Sequence, residues 1–274
     1  MAVKNILVAV NGSTGSVDAV QAAILMQRKY DAHLTGLLVH YGTRDRFGAE
    51  NWMPSNVRTI LEGDIHDQER SLEQGFRDAA AKIVPAEKLH WLAMSGEPDD
   101  TMAKYVVMYD VAVMGRNAIR ARPETDLHPE RVALKSGRPI LIVPPNFDPT
   151  TIDKRAVLAF DGRRAASRLI HDAMLFLETK SHVDIVSSGN KMYKPANSIG
   201  ATDLLERHGV KGQRVRLPKQ SRNFGAELLA YCDKIDAGTL FMGVYEHGVF
   251  REELFGGSTR YVLDHASIPV MISH

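Results

Sequence analysis

Apolar residues in this chain fall into short continuous runs separated by longer stretches with helical spacing. Ile6 to Val10 is such a run, rich in β-branched residues and too short for a helix, as expected of a strand covered on both faces. Asn11-Gly12-Ser13-Thr14 supplies a turn and a helix cap, and Val17, Val20, Ala23 and Ile24 then recur at helical spacing up to about Arg28. The alternation continues with strands over 33–39, 89–94, 111–114 and 140–143, and helices over 61–82, 101–109 and 129–136. A second series follows, with strands over 156–160, 182–186, 213–217, 239–242 and 269–272. Its helices are predicted over 165–177, 201–208, 224–235 and 258–265. Strand and helix in strict alternation define an α/β fold with doubly wound parallel sheets.

The two series are copies of one another. Lys4-Asn5-Ile6-Leu7-Val8-Ala9-Val10-Asn11-Gly12-Ser13 is answered by Lys154-Arg155-Ala156-Val157-Leu158-Ala159-Phe160-Asp161-Gly162-Arg163. Gly137-Arg138-Pro139-Ile140-Leu141-Ile142-Val143 is answered by Ser267-Ile268-Pro269-Val270-Met271-Ile272. A fused duplication accounts for both matches. The expectation is two tandem Rossmann-like domains, 1–145 and 154–274, each a five-stranded parallel sheet flanked by helices, packed as a pseudo-dimer. The proline-rich linker Pro144-Pro145-Asn146-Phe147-Asp148-Pro149 is short, so the domains are expected to pack and not to swing. The first copy carries roughly twenty extra residues around Tyr41 to Asp67, a lid, an interface element or a plain surface excursion.

Length and charge narrow the partners. The chain has 274 residues, more than one ordinary domain of about 100 to 200 residues needs. Lys+Arg 34 against Asp+Glu 33 leaves a net charge of +1, which gives no basic field for nucleic acid. One cysteine, Cys232, excludes an internal disulfide framework and a multi-cysteine metal site, and fits a reducing compartment. The N-terminal residues run into a strand without the apolar stretch of a signal peptide, and no run of about 18 apolar residues occurs. A cytoplasmic protein that does not enter membranes is expected.

In an open parallel sheet, ligands bind beyond the carboxyl ends of the strands where the chain reverses direction, here beside the first and fourth strands of each copy. Two loops of the second copy meet there. One carries Asp161 and Gly162; the other runs from Gly243 through Glu246 and His247 to Gly256, Gly257, Ser258 and Thr259. Glycine lets backbone N–H groups approach phosphate closely, and the helix opened by Ser258-Thr259 adds a partial positive charge. The plainer alternative is a Gly-Gly turn followed by an N-cap.

The strand end Val157-Leu158-Ala159-Phe160-Asp161-Gly162 and the string Phe241-Met242-Gly243 point to a family. So do Arg251-Glu252, Gly256-Gly257-Ser258-Thr259-Arg260-Tyr261-Val262-Leu263 and the ending Ile268-Pro269-Val270-Met271-Ile272-Ser273-His274. With them the chain resembles a tandem member of the universal stress protein family, as do Asp31-Ala32-His33-Leu34-Thr35-Gly36-Leu37 and Ser136-Gly137-Arg138-Pro139-Ile140-Leu141 in the first copy. The resemblance implies a stress-response protein, often dimeric through its last strand. It also implies a nucleotide site marked by a glycine, two residues, a second glycine, nine residues, then glycine with a hydroxyl residue. Here the first glycine is Gly243 and the last Gly256, the second position is Glu246, and Gly257 stands at the hydroxyl position ahead of Ser258 and Thr259. Asp161 takes the place of the ribose contact. The implied ligand is ATP or another adenine nucleotide, with Mg2+ as an optional companion.

Glu246 opposes that ligand, since a carboxylate near a triphosphate repels it across a partly desolvated gap. The first copy departs further. Asn11 replaces the acidic residue, Asp126-Leu127-His128-Pro129 stands opposite Gly256-Gly257-Ser258-Thr259, and Glu124, Asp126 and Glu130 add negative charge. That copy is expected to bind no nucleotide. A nucleotide-free ligand-binding or protein-interaction module of the same fold is the alternative for the whole chain. No catalytic constellation is present; Cys232 reads as a packed thiol, any ATP hydrolysis is expected to be slow, and Asp64, His66, Asp67 and Glu69 read as a solvated acidic face ahead of a metal set. The expected partners are the nucleotide, the pairing of strands 140–143 and 269–272 between the domains, and a second chain in a homodimer.

Overall fold

The computed structural model describes residues 3–42, 54–116, 126–188, 199–217, 223–244 and 257–274, apart from the side chains of residues 55 and 58. The chain divides into two compact units, Ala2–Ser136 and Gly137–His274.

The first unit runs β1 Asn5–Ala9, α1 Thr14–Tyr30, β2 His33–His40, α2 Ser55–Ala80, β3 Leu89–Ser95, α3 Pro98–Val106, β4 Val111–Gly115 and α4 Pro129–Ser136. Its strand order is β3-β2-β1-β4, all parallel, with Asn5 opposite His33, Ile6 opposite Val111 and Leu34 opposite Leu89. The apolar runs form the core as their composition requires: Ile6, Leu7 and Val8 are fully buried between helices on the two faces of the sheet. Ser13 caps α1 by accepting the Ser16 N–H at 3.2 Å, and Asp31 ends it in the left-handed conformation.

The second unit opens with β5 Ile140–Val143 and continues β6 Ala156–Ala159, α5 Arg164–Leu177, β7 Val183–Ser188, α6 Ala201–Arg207, β8 Gly212–Leu217, α7 Phe224–Lys234, β9 Thr239–Gly243, α8 Gly257–His265 and β10 Val270–Ser273. The strand order is β5-β10-β9-β6-β7-β8. β10, β9, β6, β7 and β8 run parallel, while β5 is antiparallel to β10 with Met271 opposite Leu141. Lys180, almost wholly buried, donates to the carbonyl of Ile152 and lies 3.3 Å from Thr239 Oγ1, which fixes the connection entering β6.

A buried ionic cluster ties the amino ends of the second unit's strands together. Asp184 on β7 has a fully buried side chain that accepts from Arg155 Nη2 at 2.7 Å, Tyr231 Oη at 2.6 Å and Gln213 Nε2 at 3.0 Å. Desolvation opposes the charge, but the bonds from Arg155, Tyr231 and Gln213 prevail and hold the carboxyl below its usual range.

Element types agree throughout with the alternation read from the sequence, and most boundaries agree within a residue or two. Two helices start earlier than their apolar spacing indicates. α2 begins at Ser55, so the described second part of the Tyr41 to Asp67 excursion is the first half of a 26-residue helix; residues 43–53 lie outside the described residues. α3 begins at Pro98, because Glu97 acts as its cap, accepting the Asp100 N–H at 2.6 Å, and proline suits a first helical turn.

Candidate functional site

In the second unit the strand order reverses between β9 and β6, which are hydrogen-bonded neighbours. Their carboxyl ends deliver Gly243 on one side and Asp161-Gly162 on the other, as expected of a switch-point site. Asp161 sits in a tight turn: its Oδ1 accepts the Arg163 N–H at 2.9 Å, and Gly162 follows with φ 82°. The carboxylate is more than half exposed, with Arg163 Nε 3.7 Å from Oδ2.

The first unit repeats this turn with an amide. Asn11 Oδ1 accepts from Ser13 N at 3.1 Å and Ser13 Oγ at 2.7 Å, and Gly12 follows with φ 75°. Asn11, however, is buried, and a Cβ on Gly12 would lie 3.2 Å from Leu72 Cδ2 of α2. The same helix is fastened to the end of β2, where His40 Nε2 lies 2.8 Å from Glu69 Oε1 and His66 Nδ1 lies 3.2 Å from Glu69 Oε2. α2 thus packs against the Asn11-Gly12 turn, whereas Asp161 at the corresponding turn is more than half exposed.

Gly243 has a packing role. A Cβ there would come within 2.6 Å of the Ala165 carbonyl carbon and 2.7 Å of Ala166 N, so the glycine lets the start of α5 sit against the end of β9. Gly115 does the same in the first unit, where a Cβ would meet Gly15 O at 2.0 Å. Because both copies need it, this glycine says nothing by itself about a ligand.

Gly257 differs. A Cβ on it meets nothing within 4 Å, so among the described residues no packing demand explains the missing side chain. It opens α8, whose first turn also holds Ser258 and Thr259 and contains no acidic residue. Glu246, His247 and Gly256 lie outside the described residues. His265, at the far end of α8, bonds to Tyr261 O at 2.9 Å and stacks on the Tyr261 ring, about 12 Å along the helix from its start. It lies away from Ser258 and Thr259 at the start of that helix.

Sequence reasoning overlooked a pair of residues that the structure brings into the comparison. Asp99 and Gly225 each occupy the second position of their helix, α3 and α7, after the capping side chains of Glu97 and Asn223. Asp99 reaches the start of α4, where His128 N–H donates to its Oδ1 at 2.8 Å. Gly225 faces the start of α8, where a Cβ would lie 2.5 Å from Ser258 O. The signal was present in the acid run Glu97, Asp99 and Asp100, but a helix predicted to begin at residue 101 leaves those acids in a loop.

Cys232 is buried, and burial pushes its thiol up to about 12, so it is a packed thiol. No group of three or more His, Cys, Asp or Glu side chains among the described residues is arranged to hold a metal ion. No described helix is long and apolar enough to cross a membrane.

No family model matches the chain. Universal stress protein Slr1230 of Synechocystis is 23% identical over 170 residues, a stretch that covers 60% of this chain and 57% of that protein. A universal stress protein from Archaeoglobus fulgidus has a solved structure that superposes with a TM-score of 0.71 at 16% identity, covering 98% of this chain and 96% of that one. A protein of unknown function from Pseudomonas aeruginosa superposes with a TM-score of 0.54 at 14% identity, covering 99% and 92%. The chain shares the fold of that two-unit universal stress protein along almost its whole length.

Proposed function

We propose that this chain is a stress-response regulatory protein whose second unit binds ATP or another adenine nucleotide, with the first unit a closed copy that binds none. One observation carries the reading: the start of α8 presents Gly257, Ser258 and Thr259 with no acidic residue in its first turn, whereas the start of α4 is filled by a buried carboxylate. The N–H groups of a helix's first turn, together with two hydroxyls, suit the oxygens of a phosphate chain. Asp161, exposed at the adjoining strand end, supplies an acceptor for ribose hydroxyls, and the adenine moiety follows from the resemblance to universal stress proteins. Magnesium would screen Glu246 from the phosphates. The Ser258 and Thr259 hydroxyls orient phosphate oxygens, and the nucleotide acts as a bound signal.

Calorimetric titration of the full chain with ATP, with and without Mg2+, tests this. Gly257→Asp is the informative variant. It adds a carboxylate where there is space for one, and acids in the first turn stabilise a helix, so folding is kept. The expected result is affinity weakened by about tenfold or more, equivalent to roughly 1.4 kcal/mol, with a comparable loss for Asp161→Ala and none for Asn11→Ala. Absence of binding to the unmodified protein at millimolar ATP under both conditions overturns the proposal and leaves a nucleotide-free interaction module.

A further inference from the structure

The start of α4 in the first unit is surrounded by the donors that would grip an anion, and they already hold one. His128 N–H donates to Asp99 Oδ1 at 2.8 Å, His128 Nδ1 lies 3.0 Å from Asp99 Oδ2, and Arg131 Nη1 lies 3.6 Å from the same oxygen. A main-chain N–H at a helix start, an imidazole and a guanidinium are a set that elsewhere binds the oxygens of phosphates and carboxylates. The Asp99 side chain is 2% exposed, so water is shut out of the contact. Asp126 Oδ2 stands 3.9 Å from His128 Nε2, on the other side of the imidazole.

We propose that Asp99 is a built-in anion: a tethered carboxylate that permanently occupies the oxyanion position at the start of α4 and so closes the first unit to phosphate or carboxylate ligands. The second unit shows what the arrangement looks like without it. Gly225 takes the same helical position as Asp99, and α7 approaches Ser258 so closely on bare backbone that a Cβ would lie 2.5 Å from its carbonyl oxygen. No carboxylate can reach the start of α8 from that position. The two helix starts therefore differ in the residue that meets them, Asp99 in one unit and Gly225 in the other. The inference stands on the geometry of the first unit and holds whether or not the second unit carries a nucleotide.

Removing the tether should convert the occupied position into a site for a free anion. The test uses full-length Asp99→Ala, thermal unfolding, and the backbone amide resonances of His128 and Arg131, titrated with sodium formate and separately with inorganic phosphate at constant ionic strength. Formate replaces the missing carboxylate; phosphate probes the larger ligand. Asp99→Ala should unfold several degrees below the unmodified protein. Formate or phosphate should restore part of that loss in a saturable manner while shifting the His128 amide, with sodium chloride having no such effect. In the unmodified protein neither anion should move that amide. Two results would overturn the inference: a natively folded Asp99→Ala whose His128 amide ignores both anions, or an unmodified protein whose His128 amide responds as strongly as the variant's. Should Asp99→Ala fail to fold, refolding of Asp99→Ala or Asp99→Ser only when formate or phosphate is present supports the inference, and refolding indifferent to both refutes it.

Discussion

Asp184 shows how one residue can hold several strands together at the end of the sheet remote from Asp161 and Gly243. Its carboxylate is buried, yet it stays ionised because Arg155, Tyr231 and Gln213 all donate to it. The reciprocal effect falls on Tyr231, whose phenol is pushed up to about 12, first by burial and then by the bond to Asp184. A hydrogen bond to a buried charge is worth about 1.5 to 3 kcal/mol, so Tyr231→Phe should lower unfolding stability by that amount at neutral pH. Because the folded-state value lies above the ordinary 10.0, this contribution is fully present below that pH and is lost as pH rises toward about 12. Denaturant unfolding of the two proteins between neutral pH and that range checks both the size and the sign; a difference that grows with pH would show that the bond is not what raises the phenol. Nothing in the sequence marked Asp184, since an acid in a strand pattern reads as a solvent-facing position, and only the three-dimensional meeting of β6, β7, β8 and α7 gives it partners. Asp161 and Asn11 were legible for the opposite reason: their turns are local, and local geometry is written in consecutive residues.

At the scale of elements, the close contact between the end of the fourth strand and the start of the first helix is built twice. Gly115 meets Gly15 in one unit and Gly243 meets Ala165 in the other, each with backbone inside the distance that a Cβ needs. Forcing a methyl into such a contact costs typically about 1 to 3 kcal/mol through shifted backbone. Gly115→Ala should sit at or above the upper end and Gly243→Ala within the range, since the respective approaches are 2.0 and 2.6 Å. Chemical denaturation reads the ordering; equal stability of either variant with the parent would show that helix and strand separate freely. The repeat made these glycines easy to find, but their packing role shows only in the fold, because a motif cannot distinguish a glycine that admits a ligand from one that admits a helix. The helices themselves followed from apolar periodicity, and their starts did not. α2 and α3 begin in polar segments, where a capping side chain and a proline decide the boundary. The early start of α3 is also what brings Asp99 to the start of α4.

At the scale of the whole molecule, chain order and packing order part at β5. The proline-rich stretch after Val143 reads as the boundary between copies, yet Ile140–Val143 belongs with the compact unit that follows it, paired antiparallel with β10 through Ile140 opposite Ile272 and Ile142 opposite Val270. Both strands are buried along their whole lengths. Without β5, the outer side of β10 would present an apolar strand with a row of unpaired N–H and C=O groups, the arrangement that invites edge-to-edge association. A fragment spanning 137–274 should therefore unfold at higher denaturant and associate less than 154–274, which carries every strand of the second copy. Size-exclusion chromatography and circular dichroism of the two fragments decide the matter. If the shorter fragment were monomeric and as stable as the longer one, β5 would be dispensable to that unit, and the second copy would close its own edge. The physical reason to expect otherwise is that a strand rich in Ile and Val loses its ladder bonds and its cover together when its neighbour is removed, and no other described strand of the unit pairs with that side of β10.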